Sequence, residues 1–469
     1  MMDRYLRIRI AICGLLAMYN ALPAAAQERG PAPFCGGTHA AEGDGFSPDR
    51  PQTLADLVAI GMKRNTDTRT SWLQAEDAAL NLGVTRSKFG PILAAEAAAL
   101  HEHSAFPLPK NLDPRGYFKS NAEAIVPSVT LKWLVYDSGG KEAALEQASQ
   151  ALLGAKFSFN ATHRKVTILI TRHFYHLAAA LARREATEAA LQNALMVEQV
   201  SQARRSRGLA TAPESLQARA AAAEARLQME DAVSAVEESR MALMEAAGLR
   251  PDTQLCVQMP GGSPAPDGEQ KIDKLVEQAV STRPEVQAAL AQVRAGEANV
   301  NLAKSDYGPK ILLHAHVGEN IGRTRSNSGP WSTVNQPVYG IGLLFQIPLY
   351  DGSIRKNTVA LARSKQEIAE AKLDGVKNQV VHEVVKAHLD LSLARRRVES
   401  STALLAAAQE SFDSTLKSYK QGLSTMQEIS NAAASLARAK TASTQAATDQ
   451  RTARAVLAFA AGDMLDVLP

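Results

Sequence analysis

The chain carries one structural unit twice, and this duplication restricts its possible folds more than any other feature. One and the same offset relates three pairs of landmarks: Tyr136-Asp137 with Tyr350-Asp351, Gly208-Leu209 with Gly422-Leu423, and Ala247-Gly248 with Ala461-Gly462. Loops absorb insertions easily and helices do not, so three landmarks without slippage indicate long regular segments between them. We therefore expect two copies with the same order of elements.

A fourth landmark shows where the two copies differ in length. Phe89-Gly90-Pro91 matches Tyr307-Gly308-Pro309 at an offset that is longer by four positions than that of the later landmarks. The difference must therefore fall between the Gly-Pro and Tyr-Asp landmarks. We expect loops between strands in that interval.

Hydrophobic spacing predicts that most of each copy is helical. A first helix is predicted over about 54–88 and again over 272–305, each ended by Gly-Pro. After each Tyr-Asp, about 70 residues continue as one helix to Gly208 or Gly422, which corresponds to roughly 100 Å. A second long helix returns to Gly248 or Gly462. One apolar stripe is formed by residues that step by three and four: Met426, Ile429, Ala433 and Leu436. Alanine-rich stripes of this kind pack closely against neighbouring helices.

The segments before each Tyr-Asp alternate between apolar and small or polar residues, which is typical of strands with one apolar face. The apolar positions are Val129, Leu131, Trp133 and Val135 in copy one, and Tyr339, Ile341, Leu343, Phe345, Ile347 and Leu349 in copy two. Such strands suit the wall of a transmembrane barrel, with Trp133, Tyr136, Tyr339, Phe345 and Tyr350 as its aromatics. A soluble sheet packed on one face would show the same alternation. Four strands cannot close a membrane barrel, which needs at least ~8, so we expect a trimer that supplies twelve.

The N-terminus has the pattern of an export signal. Three arginines precede the apolar stretch from Ile10 to Leu22, and Ala24-Ala25-Ala26 follows as a cleavage site. An uncleaved anchor is the alternative. The predicted organisation is a signal peptide 1–26, an N-terminal extension 27–50, a first repeat 51–250 (strands about 92–136, helical hairpin about 140–250), a linker 251–270, and a second repeat 271–465 (strands about 310–350, helical hairpin about 354–462).

The charge of the chain argues against nucleic-acid binding, and its cysteines leave one disulfide bond undecided. The formal net charge is +4 and no basic tract resembles a nucleic-acid interface. Cys13 would leave with the signal, so Cys35 and Cys256 remain in an oxidising compartment as a possible disulfide. Two unpaired thiols are the alternative.

The sequence offers no catalytic or metal site, so we expect neither an enzyme nor a cofactor. His382 and His388 are six residues apart and lie on different helix faces, unlike a zinc-binding i, i+4 pair. No phosphate-binding glycine loop or nucleophile elbow is found. The strand pairs His101/His103 and His314/His316 are expected to be polar side chains facing a lumen, and a metal or proton-sensitive ring is the alternative.

From about Leu54 to Leu465, the duplicated order of elements, the Tyr-Asp turns and the Gly-Leu-x-Thr turns together resemble the TolC-type outer-membrane factors. The resemblance implies a mainly α fold with a membrane β-barrel: a homotrimer whose twelve-stranded barrel crosses the outer membrane and continues as a long α-helical barrel in the periplasm. It implies a passive exit duct that contacts outer-membrane lipid and works with a periplasmic adaptor and an inner-membrane ABC or RND transporter.

The same resemblance implies roles for particular residues. The adaptor-docking tips correspond to Gly208, Leu209, Thr211, Gly422, Leu423 and Thr425. The aperture gate corresponds to Glu428, Tyr419, Glu214 and Asn431. Family members often carry acids six and nine positions after the second tip glycine, and here Glu428 occupies the first position but Asn431 the second. A ring of three carboxylates would favour cations, although Glu428 could also be an ordinary solvated surface residue.

Two functional questions stay open at this level. The Leu54-Ala-Asp-Leu…Lys63-Arg-Asn opening and the Thr68-Arg-Thr-Ser-Trp-Leu-Gln-Ala run resemble type I secretion channels more than lipidated efflux ducts, which favours type I protein secretion over small-molecule efflux. A different class of function is an exported periplasmic coiled-coil adaptor or scaffold, which would be helix-rich but need not carry four alternating strands. Outer-membrane extraction would favour the duct, and recovery from the soluble periplasm the scaffold.

Overall fold

The computed structural model describes residues 34–36, 50–258 and 271–462. The predicted signal peptide with Cys13, most of the N-terminal extension, residues 259–270 of the linker and residues after 462 lie outside these ranges. In copy one and the segments flanking it, the elements are β1 (Phe34–Gly36), α1 (Leu54–Arg64), α2 (Thr66–Lys88), β2 (Ile92–Pro107), β3 (Tyr117–Tyr136), α3 (Gly140–Ser206), α4 (Ala212–Ala246) and β4 (Leu255–Val257). In copy two they are α5 (Ile272–Thr282), α6 (Pro284–Ser305), β5 (Lys310–Ser326), β6 (Ser332–Gln346), α7 (Ile354–Gln421) and α8 (Met426–Ala461).

The first helix of each copy is broken in two, where one continuous helix is expected from the sequence. Asn65 separates α1 from α2 and has an extended backbone with φ −66° and ψ 131°. Arg283 separates α5 from α6 in nearly the same conformation. The offset between the two breaks is the one that relates Gly90 to Gly308, so the break belongs to the repeat. Asn65 caps α2 by accepting from the Asp67 N–H at 2.8 Å, and it donates to the Ala246 carbonyl at 3.1 Å.

The long helices have the predicted length. α3 contains 67 residues and α7 contains 68, which gives each about 100 Å at the usual rise. α3 packs against α2 and α6 along one part and against α4 and α8 along another, and α7 packs against α6 and α8. Within the described residues, no helix has both the length and the hydropathy needed to span a bilayer.

A sharp turn joins the last strand of each copy to its long helix. Two successive residues in each turn have positive φ: Ser138 and Gly139 in copy one, Gly352 and Ser353 in copy two. Asp351 stabilises the second turn, because its carboxylate accepts from the Arg355 Nε at 2.7 Å and from the Arg355 backbone N–H at 3.1 Å. This pairing lowers the pKa of Asp351.

The four long strands form one antiparallel sheet in the order β2-β3-β5-β6. Nine residues connect β2 to β3 and five connect β5 to β6, so the hairpin loops account for the four-residue length difference between the copies. The pairing places odd-numbered residues of all four strands on one face, as in the row Ala95, Val129, Val317 and Tyr339. We call this the outer face, because it carries the large apolar residues of β3 and β6.

A hydrophobic core of copy one joins α1, the middle of α3 and the C-terminal part of α4. Leu57, Ile170 and Leu243 are fully buried there together with Leu255 and Val257 of β4. Cys256 is buried and disulfide-bonded, and Cys35 is the residue directly opposite it in the β1–β4 pair. Cys256 directs its carbonyl toward Gln52 on the other side of β4. The Cys35–Cys256 pair is therefore a non-hydrogen-bonded one, in which Cα atoms are closest.

Gly248, just after α4, should not tolerate a side chain. Its φ is +69°, and a Cβ built on it would lie 2.8 Å from the Arg64 backbone. We expect Gly248→Ala to lower the free energy of unfolding by about 2–3 kcal/mol, since both the conformation and the contact oppose it. Gly375→Ala is the matched control, because Gly375 lies inside α7 with open space around it. That change should be neutral or stabilise by up to about 1 kcal/mol. Thermal unfolding followed by circular dichroism in detergent would measure both, and equal midpoints would contradict the prediction.

Candidate functional site: the tips of the helical hairpins

Both helical hairpins reverse direction through the same local structure. Gly422 has φ +81°, which ends α7 in the left-handed conformation that glycine adopts without strain. The Leu423 N–H then donates to the Ser418 carbonyl at 2.9 Å, and the Leu209 N–H donates to the Arg204 carbonyl at 2.8 Å. Neither leucine is buried by these turns: 63% of Leu209 and 78% of Leu423 is exposed. Each tip therefore presents one large apolar side chain to its surroundings.

The return helices begin at threonine caps, and only the second has a complete capping box. The Thr211 hydroxyl accepts from the Glu214 N–H at 3.4 Å. The Thr425 hydroxyl accepts from the Glu428 N–H at 3.3 Å, and the Glu428 carboxylate accepts from the Thr425 N–H at 2.8 Å. Glu428 is exposed. Its carboxylate thus caps α8 and remains open to solvent, so the cap does not exclude the gate role that the resemblance implies.

Arg204 links the two tips. Its Nη1 donates to the Tyr419 carbonyl at 2.5 Å, and its Nη2 donates to the Leu209 carbonyl at 3.2 Å. The guanidinium carbon also lies 4.9 Å from the centre of the Tyr419 ring, which is a cation–π contact. A single side chain of α3 therefore holds the end of α7 and the turn of its own hairpin.

Tyr419 is buried in an apolar cluster directly behind the tips. Only 1% of it is exposed, and it packs with Phe412, Met426 and Ile429. Its hydroxyl finds no hydrogen-bond partner within the described residues. The resemblance places Tyr419 in the aperture gate, and here its ring and its carbonyl make the link to the other hairpin. Asn431 is exposed on α8 and accepts from the Gln427 amide at 2.9 Å.

Arg204 is not among the residues expected from the sequence, although the difference between the two copies at this position marks it. At the offset that relates Gly208 to Gly422, Arg204 corresponds to Ser418. An arginine in one copy opposite a serine in the other marks a place where the repeat is not symmetric. Asymmetry of this kind is expected wherever the two copies contact each other, because the partners there differ.

A second polar cluster that the sequence did not reveal lies near the middle of the molecule. Arg164 of α3 and Arg283 are 3% and 4% exposed. The Arg283 Nη1 lies 2.7 Å from a Glu383 carboxylate oxygen, and its Nε lies 3.4 Å from Glu285. The Arg164 Nη1 lies 3.6 Å from the same Glu285 oxygen, while its Nη2 donates to the Phe459 carbonyl at 2.5 Å. Burial lowers the pKa of Arg164, and Glu285 opposes that effect. Two cations and two anions thus join α3, α6, α7 and α8.

The structure positions four of the five expected barrel aromatics on the outer face. Trp133, Tyr339 and Phe345 are odd-numbered and exposed, and Trp133 Nε1 donates to the Phe89 carbonyl at 3.0 Å. Tyr136 is even-numbered, but a bulge after Leu134 brings it opposite Ile311 and so onto the same face. Tyr350 lies beyond the end of β6 and is 88% exposed.

The two histidine pairs do not share a face, so the expectation that both face a lumen is wrong for one of them. His314 and His316 are even-numbered and lie opposite Gly342 and Gly340, away from the outer face. His101 and His103 pair with odd-numbered residues of β3 and lie on the outer face. The alanine-rich sequence of β2 does not reveal which face is which, and the pairing with β3 decides it. Among the described residues, no group of three or more His, Cys, Asp or Glu is arranged to hold a metal ion.

Comparisons with known proteins agree with this architecture. The family model described as "Outer membrane efflux protein" matches residues 62–249 and 275–463. Protein CyaE of Bordetella pertussis is 26% identical over 428 residues, covering 89% of this chain and 85% of that protein. Outer membrane protein OprJ of Pseudomonas aeruginosa is 22% identical, covering 79% of this chain and 75% of that protein. The outer membrane protein VceC from Vibrio cholerae superposes with a TM-score of 0.70 at 18% identity, covering 87% of this chain and 96% of that one.

Proposed function

We propose that three copies of this chain, which belongs to the outer membrane efflux protein family, assemble into one exit duct. Members of this family are channels of the outer membrane that extend into the periplasm, and they are not enzymes. The chain is accordingly an outer-membrane channel protein. We propose in addition its trimeric assembly, its partner proteins, the residues of its gate and its substrate class.

The observation that carries the trimer is that the protomer has the same two open edges at three levels. In the sheet the order is β2-β3-β5-β6, so among the described residues β2 and β6 have no strand neighbour on their outer sides. In the helical part next to the sheet, the order of packed helices is α2-α3-α6-α7. In the part near the tips, the order is α4-α3-α8-α7. One edge always belongs to copy one, and the other always belongs to copy two. A head-to-tail ring closes all three levels with the same rotation.

The open edges carry exposed apolar side chains, as an interface between protomers requires. On α2, Leu80 is 64% exposed and Val84 is 53% exposed. On α7, Ile354, Leu361 and Ile368 are spaced by seven residues and are all more than half exposed. A seven-residue repeat keeps one stripe of a long helix facing its neighbour. With at least ~8 strands needed for a membrane barrel, three protomers give a closed wall of twelve.

The exposed leucines support adaptor docking at the tips. Leu209 and Leu423 project from rigid turns, and each is flanked by a threonine cap that fixes the following helix. We propose that a periplasmic adaptor, joined to an inner-membrane transporter, contacts these two residues. Glu428 and Asn431 lie within the first turns of α8 and form the proposed gate with Tyr419, with Glu214 as the equivalent of Glu428 in copy one. We also propose Cys35 as the disulfide partner of Cys256.

Planar-bilayer recording of the purified protein tests the duct. We expect a trimer that is extracted from the outer membrane with detergent, changes gel migration on heating, and conducts ions. Recovery of a folded monomer from the soluble periplasm would refute the duct and favour a coiled-coil adaptor or scaffold.

The proposed substrate class is unfolded protein passed on by a type I ABC transporter, supported by the Leu-Ala-Asp-Leu opening of α1 and the Thr-Ser-Trp-Leu-Gln-Ala run of α2. The test uses a host without its own exit duct that expresses this chain with either of two partner sets. One set is an ABC transporter, its adaptor and a protein substrate, and the other is a proton-driven pump, its adaptor and a fluorescent dye. We expect protein secretion to be restored. Restored dye efflux without protein secretion would show that the substrate proposal is wrong while leaving the duct intact.

Removing Arg204 should loosen the tips. Arg204→Ala deletes a charge-assisted link between the two hairpins, and this link is partly exposed. We therefore expect the free energy that favours the closed state over the open state to fall by about 1 kcal/mol, which raises the probability of the open state about fivefold. Arg204→Lys should give an intermediate result, because an ammonium cannot span both carbonyls. Arg207→Ala is the control, since it removes the same charge from an exposed residue beside the turn. Equal open probabilities in the Arg204 and Arg207 variants would contradict the prediction.

A further inference from the structure

The outer face of the sheet changes from apolar to charged near the β2–β3 and β5–β6 hairpins. On β3 the outer residues from Trp133 to Ile125 are apolar, and the next is Glu123. On β5, Arg323 and Arg325 occupy the last outer positions before the hairpin, opposite Glu123 and Asn121. Because the helices leave from the other ends of the strands, this charged region is the part of the sheet farthest from them. We call the side chains of Lys119, Glu123, Arg323, Arg325 and Trp331 the distal belt.

Contacts between neighbouring strands hold the distal belt in place. The Arg323 Nη2 lies 2.6 Å from a Glu123 carboxylate oxygen, and its Nε donates to the same oxygen at 2.7 Å. His101 lies 3.4 Å from the other Glu123 oxygen. Three strands are thus joined side chain to side chain, which fixes the position of the Arg323 guanidinium.

Trp331 lies against both arginines. The guanidinium carbons of Arg323 and Arg325 are 4.7 Å and 4.8 Å from the centre of its ring. Arg325 forms no ion pair with another described residue, and its Nε has no hydrogen-bond partner among them. Lys119 lies 5.4 Å from the ring of Tyr117. Two aromatic rings and three cations therefore occupy the same end of the outer face.

The distal belt has a net positive charge, which favours an anionic ligand. Lys119, Arg323 and Arg325 contribute three positive charges and Glu123 one negative charge, which leaves +2 per protomer. The next carboxylate on this face, Glu319, lies four residues nearer the helices than Arg323, about 13 Å along the strand. A ring stacked on an arginine leaves the edge N–H groups of that arginine free to bind oxygen atoms.

We infer that the distal belt binds the phosphate of an anionic lipid headgroup, an inference that rests on the proposed outer-membrane barrel. On β3 the apolar residues of the outer face continue directly into the belt, so a lipid whose chains lie against Ile125 and Ile321 places its headgroup beside Arg323 and Arg325. Tyr117 and Trp331 occupy the level at which aromatic residues lie at a membrane interface. A lipid contacts both the charged belt and the adjoining apolar residues, whereas an acidic protein or a soluble anion would contact the charges alone.

The test measures lipid binding to the intact trimer. Detergent-solubilised wild type and the double variant Arg323→Gln/Arg325→Gln are titrated with phosphatidylglycerol, and native mass spectrometry gives the dissociation constant for the first three lipids. We expect the double variant to bind about thirtyfold more weakly, from two cationic side chains at a membrane surface. The matched control is Arg115→Gln in the β2–β3 loop: Arg115 is paired with Asp113 at 2.8 Å, as Arg323 is with Glu123, but it lies outside the distal belt. The control should bind within about twofold of wild type.

Three further outcomes would overturn the inference. An equal loss in the Arg115 control would show diffuse attraction instead of a site. Equal binding of zwitterionic phosphatidylcholine would remove the need for an anionic headgroup. Displacement of the lipid by inorganic phosphate at similar concentration would show that a free anion is the ligand. Bilayer conductance of the double variant separates this inference from the proposed duct: we expect wild-type conductance, and a wild type that neither forms a trimer nor conducts would refute the duct itself.

Discussion

Replacing Glu428 with glutamine should weaken the block of the channel by divalent cations. The cation concentration at which the conductance is halved should rise about ten- to hundredfold. In the proposed trimer this residue supplies one carboxylate per subunit, so the change removes three negative charges from one ring. Glutamine can still accept from the Thr425 N–H, as the Glu428 carboxylate does at 2.8 Å, and a capping box tolerates this exchange. The variant therefore removes charge and leaves the start of α8 intact.

Two comparisons make this result decisive. Glu428→Ala removes both the charge and the cap, so it should lose the block and also lower the melting temperature. Glu410→Gln removes the same charge from an exposed position on α7, twelve residues before the tip glycine, and should leave the block unchanged. If Glu428→Gln blocks like the wild type, Glu428 is only a helix cap on a solvated surface. The glutamate pattern then says nothing about an aperture.

Replacing Arg283 with methionine should lower the free energy of unfolding by about 2 kcal/mol, less than for a fully buried pair because 38% of the Glu383 side chain is exposed. Arg283 is 4% exposed and pairs with Glu383 at 2.7 Å. Its removal leaves the Glu383 carboxylate without its cation. It also deletes the guanidinium that joins the break between α5 and α6 to α7. Urea unfolding of the detergent-solubilised protein would measure the effect, with the trimer-to-monomer transition on heated gels as a second readout.

A second substitution separates the pair from the fold around it. Arg283→Met combined with Glu383→Met replaces both charges with apolar side chains and should recover most of the lost stability. Lys386→Ala provides the surface control, because Lys386 pairs with Asp390 at 2.9 Å where both are more than half exposed. That pair should contribute less than about 0.5 kcal/mol. If the single Arg283 variant costs no more than the Lys386 variant, the cluster does not hold the four helices together.

The sequence by itself determined the repeat, the element order and both hairpin tips. These features depend on local signals: Tyr-Asp turns before the long helices, glycine at the tips, and threonine at the start of α4 and α8. A helix of 67 residues can be recognised because nothing in its sequence stops it. The alternation in β3 and β6 likewise identified the apolar face of the sheet, since a period of two needs no partner to be visible.

Only the tertiary structure decided the features that depend on contacts between the two copies. The link from Arg204 to Tyr419 spans 215 residues, and the pairing of Arg283 with Glu383 spans 100. The face of His101 followed from the register between β2 and β3, and the face of Tyr136 from a bulge. The break at Asn65 has no adjacent glycine or proline to announce it, whereas Pro284, directly after Arg283, is a local signal for the equivalent break in copy two. Periodicity and turn residues report how a segment folds locally, whereas register and ion pairs arise only when distant segments meet.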